Sequence, residues 1–234
     1  MQKNRLQGRW VLEKVKSAVC LEKQEESMSK QYDPMFKKRF GIRTPILYTW
    51  DLVVEPKNKA RIQRAWKRFY KSTEPTGSKR RRESFEAFFN RLYQAGDDLA
   101  WCQKVTISYM GRSVGYGVIA TEDIPPNEIL IHYGGYLRPD DQIDGENDST
   151  FALDDFKNYS IDAMHQGNWA RFMNHAPEEE TNVTAWEHYA EFGPRIVFTS
   201  GKKGIKKGEQ LLYSYGEDYW DARKPLNLLK TLRK

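Results

Sequence analysis

Two short islands of the chain carry the side chains best suited to chemistry. One is GNWARFMNH, residues 167–175, and the other is KKGEQLLYSYG, residues 206–216. Between them lie Asn182 and the apolar run at 196–198, which reads as one hairpin-like segment. Asn, His, Tyr and Gly dominate both islands, and the chain shows no Ser/His/Asp order, CxxC pair or phosphate-cradling glycine loop. Neutral hydrogen bonders and backbone groups of this kind suit the alignment of two reactants, not a covalent intermediate.

The elements that must position these islands begin near Val105, where the periodicity changes. Residues 105–137 read as short strands separated by glycine turns and by Pro125-Pro126. Upstream the pattern is helical. Val11, Val15 and Ala18 recur at helical spacing within residues 10–22, and a polar run follows to Lys30. Pro34, Gly41 and Pro45 break the next stretch into loops and short elements. A helix is expected over residues 58–71, with Asn58 as its N-cap and Ile62, Ala65, Trp66 and Phe69 on one face. After a break holding Pro75 and Gly77, a second helix begins at Lys79 or Arg82 and runs to Gln94. It buries Phe85, Phe88, Phe89 and Leu92, and Gly96 ends it. The expected organisation is therefore a helical basic region over 1–104, a mostly β domain over 105–220, and a tail helix over 221–234 with Leu226, Leu229 and Leu232. The helices pack against the apolar face of the sheet.

Composition bounds the function. With 234 residues and 39% hydrophobic content, and a mean hydropathy of −0.80, the chain can bury one substantial core plus a smaller unit. Cys20 and Cys102 are the only cysteines, which excludes a four-thiolate metal site and favours a reducing compartment. No apolar run approaches the roughly 18 residues of a membrane span, and charge interrupts the first thirty residues throughout. Residues 1–104 hold 24 Lys and Arg against 12 Asp and Glu, whereas residues 105–234 hold 14 against 20. The two halves therefore face different partners or each other. Residues 140–155 contain seven acids and no base. They read either as a solvated insertion or as an acidic wall that attracts a Lys- and Arg-rich tail.

Four ordered motifs carry a family resemblance: GYG at 115–117, HYGG at 132–135, GNWARFMNH at 167–175 followed by Asn182, and GEQLLYSYG at 208–216. Together they resemble the SET-domain protein lysine methyltransferases, over about residues 105–220. In pattern the chain is similar to the small SET proteins of intracellular bacteria such as chlamydiae, which also place a helix-rich basic region before a compact SET domain. The resemblance implies a mostly β fold of small curved sheets with a knot-like C-terminal arrangement. It also implies S-adenosyl-L-methionine as cofactor.

Methyl transfer from a sulfonium to an amine needs alignment, exclusion of water and a neutral amine. A free lysine, with a reference pKa of about 10.4, is protonated near neutrality, and desolvation beside a sulfonium lowers that value. The resemblance assigns catalytic positions to Tyr215, whose hydroxyl faces the transfer site, to Tyr213, which narrows the space for a methylated head group, and to the channel residue Tyr133. It assigns cofactor contacts to Tyr116, Gly117, Arg171, Asn174, His175 and Trp220, and no metal. The plainer readings are that Tyr213 and Tyr215 alternate along a strand, that His175 is a core histidine and that Gly115 marks an ordinary turn.

The chain departs from the family in three places. Gly135 stands where many relatives carry Glu, Ala176-Pro177 followed by acids replaces a Ser-Cys-x-Pro-Asn continuation, and no three-cysteine zinc unit follows the last motif. Tyr219 and Trp220 are expected to fold back instead. The implied activity is lysine methylation of histone or histone-like proteins, to the mono- or dimethyl state, in a bacterial cytoplasm or in a host nucleus after secretion. The alternative is a non-catalytic chromatin- or DNA-binding adaptor whose basic N-terminal half does the work. Nucleic-acid contact through that half and a homodimer through its helices are further expectations.

Overall fold

Glycine and proline punctuation after Val105 yields short strands, as the computed structural model shows. It describes residues 34–49, 51–72, 79–95, 104–145, 147–190 and 193–221. The helix expected over 10–22, both cysteines and the leucines of the tail lie outside the described residues. In chain order come α1 (Pro34–Phe40), β1 (Leu47–Tyr48), β2 (Leu52–Val53), α2 (Pro56–Ser72) and α3 (Lys79–Ala95). The strands β3 (Val105–Gly111), β4 (Gly115–Ala120), β5 (Ile129–His132), β6 (Gly135–Pro139), β7 (Thr150–Ala152), β8 (Tyr159–Asp162) and β9 (Gln166–Gly167) follow. Last come β10 (Asn174–His175), β11 (Val183–Ala190), β12 (Gly193–Ser200), β13 (Leu212–Tyr213) and α4 (Glu217–Asp221). The fold is the mostly β arrangement of small sheets that the motifs imply.

The chain forms two compact units. Among the described residues, the first holds 34–95, 132–171 and 187–197, and the second holds 104–131, 172–186 and 198–221.

In the first unit β2, β6, β8 and β7 form a four-stranded sheet in that order, with β2 parallel and the others antiparallel to their neighbours. Phe85, Phe88 and Phe89 of α3 are buried, as their i, i+3, i+4 spacing requires. Trp66 and Phe69 of α2 close on Phe156 at 5.2 Å each. Asn58 is not the N-cap of α2. Pro56 opens the helix, where its fixed φ and missing N–H cost nothing, so Asn58 falls in the first turn. Its buried amide instead exchanges hydrogen bonds with Gln142 and donates to Glu55.

Buried charge in this unit is paired. Arg138 bridges Glu55 and Asp162, and Asn147 donates to the same Asp162 carboxylate. Burial alone would raise the Asp51 carboxyl, but Arg195 at 3.1 Å and His132 outweigh it and hold that group far below the usual carboxylate range. On β11, burial pushes Glu187 up to about 7. Its neighbour His188, only 4% exposed, is pushed down to about 4 by burial and then by Arg195 and Arg82.

In the second unit β3 and β4 pair as an antiparallel hairpin, aligning Val105 with Ala120 and Ile107 with Val118, all four buried. The irregularity between Tyr109 and Gly111 leaves Tyr109 61% exposed at the hairpin end. Lone bridges join Ile119 to Gln210 and Ile124 to Ile205.

Candidate active site

In the second unit the two chemistry-bearing islands meet through backbone pairing. β10 and β13 run parallel, Asn174 beside Leu212 and His175 beside Tyr213, although 38 residues separate the members of each pair in sequence. Asn182 fixes this pairing. Its amide donates to the Gln210 carbonyl at 2.8 Å, its side-chain oxygen accepts from Leu212 N–H at 2.9 Å, and its own N–H donates to the Leu212 carbonyl at 3.1 Å. The altered sequence between His175 and Asn182 therefore leaves the final Asn in a working position.

Asn174 joins a third motif to the first two. Its amide donates to the Tyr116 carbonyl at 3.1 Å. Gly117 lies so close that a Cβ there would sit 2.9 Å from Met110 Cγ and 3.0 Å from both the Asn174 and Gln210 amide nitrogens. Only glycine admits that approach of backbone to side chain.

Tyr215 is held at both ends. Its N–H donates to His175 Nδ1 at 3.1 Å and its hydroxyl donates to the Met173 carbonyl at 2.7 Å. Because Nδ1 accepts, a neutral His175 carries its proton on Nε2. The rings form a ladder: Phe198 to Tyr213 at 5.0 Å, Tyr213 to Tyr215 at 4.8 Å, and Tyr215 to Tyr219 at 4.7 Å. Trp220 sets its edge against His175 at 4.9 Å and stays 40% exposed. α4 thus brings its aromatic pair back onto the NH motif. Phenols and an imidazole surround Tyr215, so the cluster can orient a polar group without fixing a charge on it.

The first unit holds Tyr133 and Arg171. Both converge on Ser149: the Tyr133 hydroxyl donates to its carbonyl at 3.0 Å and Arg171 donates to its side-chain oxygen at 2.7 Å. Ser149 N–H is in turn anchored on Asn147, which leads to Asp162. Asn168 is fully buried and ties the Gly167 motif to the His132 carbonyl at 2.8 Å. Gly135 leaves no space for the acid of relatives, since a Cβ would sit 2.6 Å from the Asp162 carbonyl oxygen. Sequence reasoning missed Ser149, Asn147 and the Met173 carbonyl. The first two lie in a stretch that reads as an acidic loop, and a backbone carbonyl has no sequence signature.

Residues 115–216 match the family model described as SET domain. Among curated proteins, the chain is 36% identical over 121 residues to histone-lysine N-methyltransferase EHMT1 of Homo sapiens, covering 49% of this chain and 9% of that one. It is 30% identical over 174 residues to histone-lysine N-methyltransferase EZH2 of Chaetomium thermophilum, covering 64% and 11%. A polycomb repressive complex 2 structure described as autoinhibited and bound to S-adenosylmethionine aligns with a TM-score of 0.44 at 31% identity, over 54% of this chain and 17% of that chain. The chain thus spans about a tenth of the length of the first two relatives.

Proposed function

We propose that the chain, whose residues 115–216 match the SET domain model, is an S-adenosylmethionine-dependent protein-lysine N-methyltransferase acting on histone or histone-like proteins. The observation that carries this reading is the convergence on Asn174 and His175. Asn174 binds the Tyr116 carbonyl, and His175 holds the backbone of Tyr215.

The residues of the second unit fit the donor. Gly117 contributes backbone alone among the side chains of Met110, Asn174 and Gln210, and Asn174 keeps its side-chain oxygen for a base edge. Tyr116, Gly117, Arg171, Asn174, His175 and Trp220 are assigned to holding the cofactor. When bound, the donor supplies a methyl group activated by its sulfonium charge. Tyr215 orients the lysine amine, Tyr213 restricts the methylated head group so that mono- or dimethylation results, and Tyr133 lines the lysine channel. A neutral site around Tyr215 would favour the unprotonated amine, so that no enzyme nucleophile is called for.

The finer reading rests on the resemblance alone. It includes a small SET protein like those of intracellular bacteria and delivery to host chromatin, whereas contact of the basic half with nucleic acid and a homodimer through the helices rest on the charge and aromatics of the N-terminal helices.

Incubating the protein with labelled S-adenosylmethionine, core histones, a bacterial nucleoid protein and a lysate tests the function. The expected product is methyl-lysine on a basic protein, seen by mass spectrometry and strongly reduced in Tyr215→Phe. Cofactor binding with no methylated product in any arm overturns the reading in favour of an adaptor.

A further inference from the structure

Of the charge on α2, only Lys71 in the last turn complements the helix dipole. The helix sequence, PKNKARIQRAWKRFYKS, carries seven cations and no acid. The positive end of the helix dipole is its N-terminus, yet Lys57 and Lys59 occupy that turn. Lys57, Arg61, Arg64, Arg68 and Lys71 follow a spacing of four, three, four and three residues, which stacks them on one face. Each like-charged neighbour at that spacing repels the next. Such an arrangement opposes helix formation unless an external anion spans it.

The face is open. Ile62 is buried and Trp66 and Phe69 pack inward, while Arg64, Lys67, Arg68 and Lys71 are exposed. At the N-terminal end Lys57 meets Glu55 at 3.5 Å, and Arg61 meets Asp141 at 3.1 Å. Among the described residues Arg64, Lys67, Arg68 and Lys71 have no ion-pair partner. A hollow of about 590 Å³ beside the helix is lined by Arg61, Arg68 and Lys157 but also by Asp140, Asp141 and Asp155. Of the second half of the stripe only Arg68 lines this hollow, without an ion pair, and Arg64, Lys67 and Lys71 lie outside its lining.

We infer that Arg64, Lys67, Arg68 and Lys71 form a docking surface for the phosphate backbone of duplex DNA. The residue types fit that partner. The exposed aromatic of this stretch, Tyr70, is engaged with Trp66 at 5.8 Å, whereas evenly spaced charge is what a phosphate row requires. The inner face of α2 is occupied, so the helix lies against the backbone and reads no bases. This surface needs no methyl transfer, and a free peptide substrate does not report on it.

Anisotropy of a labelled 20-base-pair duplex, measured without methyl donor between 50 and 200 mM salt, tests the surface. Four phosphate contacts predict a slope of about −3.6 for log affinity against log salt. That is a loss of roughly 10²-fold over this range, the same for two unrelated sequences. Arg64→Gln/Arg68→Gln/Lys71→Gln should flatten the slope by about 3. Arg64→Lys/Arg68→Lys and the distant pair Lys202→Gln/Lys203→Gln should leave it unchanged. A wild-type slope in the triple variant overturns the assignment, as does tighter binding to polyglutamate of equal charge than to DNA. Methylation of a free basic peptide, assayed in parallel, separates failure of this surface from failure of the catalytic reading.

Discussion

The backbone N–H of Tyr215 donates to Nδ1 of His175 across 40 residues of chain, at 3.1 Å. One bond thus couples the end of the last motif to the end of the NH motif and fixes the imidazole tautomer at once. The Tyr215 hydroxyl is spent separately, on the Met173 carbonyl. The two ends of this residue can therefore be tested apart.

Tyr215→Phe removes the hydroxyl and keeps the backbone bond to His175. Methyl transfer should fall by about 10²–10³-fold, the usual loss for one preorganised hydrogen-bonding group at a reaction centre. Stability should change by only about 1 kcal/mol. Kinetics beside thermal denaturation separate the two, and a large drop in Tm would place the hydroxyl in the fold instead.

Tyr213 is 7% exposed, between the rings of Phe198 and Tyr215. Tyr213→Phe keeps these ring contacts while clearing one oxygen. Its products on a lysine peptide should shift toward higher methylation states in mass spectra. Trimethylation by the wild-type protein sinks the proposed role.

A single methyl group added at Gly117 would meet the Asn174 and Gln210 amides at 3.0 Å. Gly117→Ala should therefore displace Asn174 from the Tyr116 carbonyl, costing about 1–3 kcal/mol of stability. Calorimetric affinity for S-adenosylmethionine should drop at least about tenfold, or 1.4 kcal/mol. Unaltered affinity would remove Gly117 from the cofactor site.

Adjacent residues on β11 give opposite pH dependences. Between pH 4.5 and about 7 the folded chain keeps a proton on Glu187 that the unfolded chain has released, so stability falls as pH rises. Between about 4 and 6.5 the unfolded chain carries a proton on His188 that the fold excludes, so stability rises with pH. The windows overlap and largely offset each other. Glu187→Gln should unmask the rising limb and His188→Asn the falling one, in Tm measured from pH 4 to 7.5. Profiles parallel to wild type in both variants would contradict the assignment.

Side-chain periodicity made much of this legible in advance. The glycine and Pro125-Pro126 turns after Val105 foretold short strands there, and Phe85, Phe88 and Phe89 foretold the inward face of α3. Asn58 was misread because N-cap preference was weighed without Pro56, which claims the first helical position. What escaped were contacts whose partners are backbone groups far along the chain. Asn182 announces itself as a hydrogen bonder, but nothing in its surroundings names Gln210 and Leu212 as its clients. Ser149 gathers Tyr133 and Arg171 from within a stretch whose composition suggests a solvated insertion or an acidic wall, not an anchor.

The excursion from Ala176 to Asn182 is stapled to β13 at both feet, Ala176 N–H on the Tyr213 carbonyl and Asn182 on Leu212. Its crown, Pro177 through Glu180, is exposed. Length there is uncoupled from the geometry below it, as in a handle bolted at two points. A dye or an affinity peptide grafted at that crown sits directly beside the Asn174–Tyr215 cluster while its foundations stay in place.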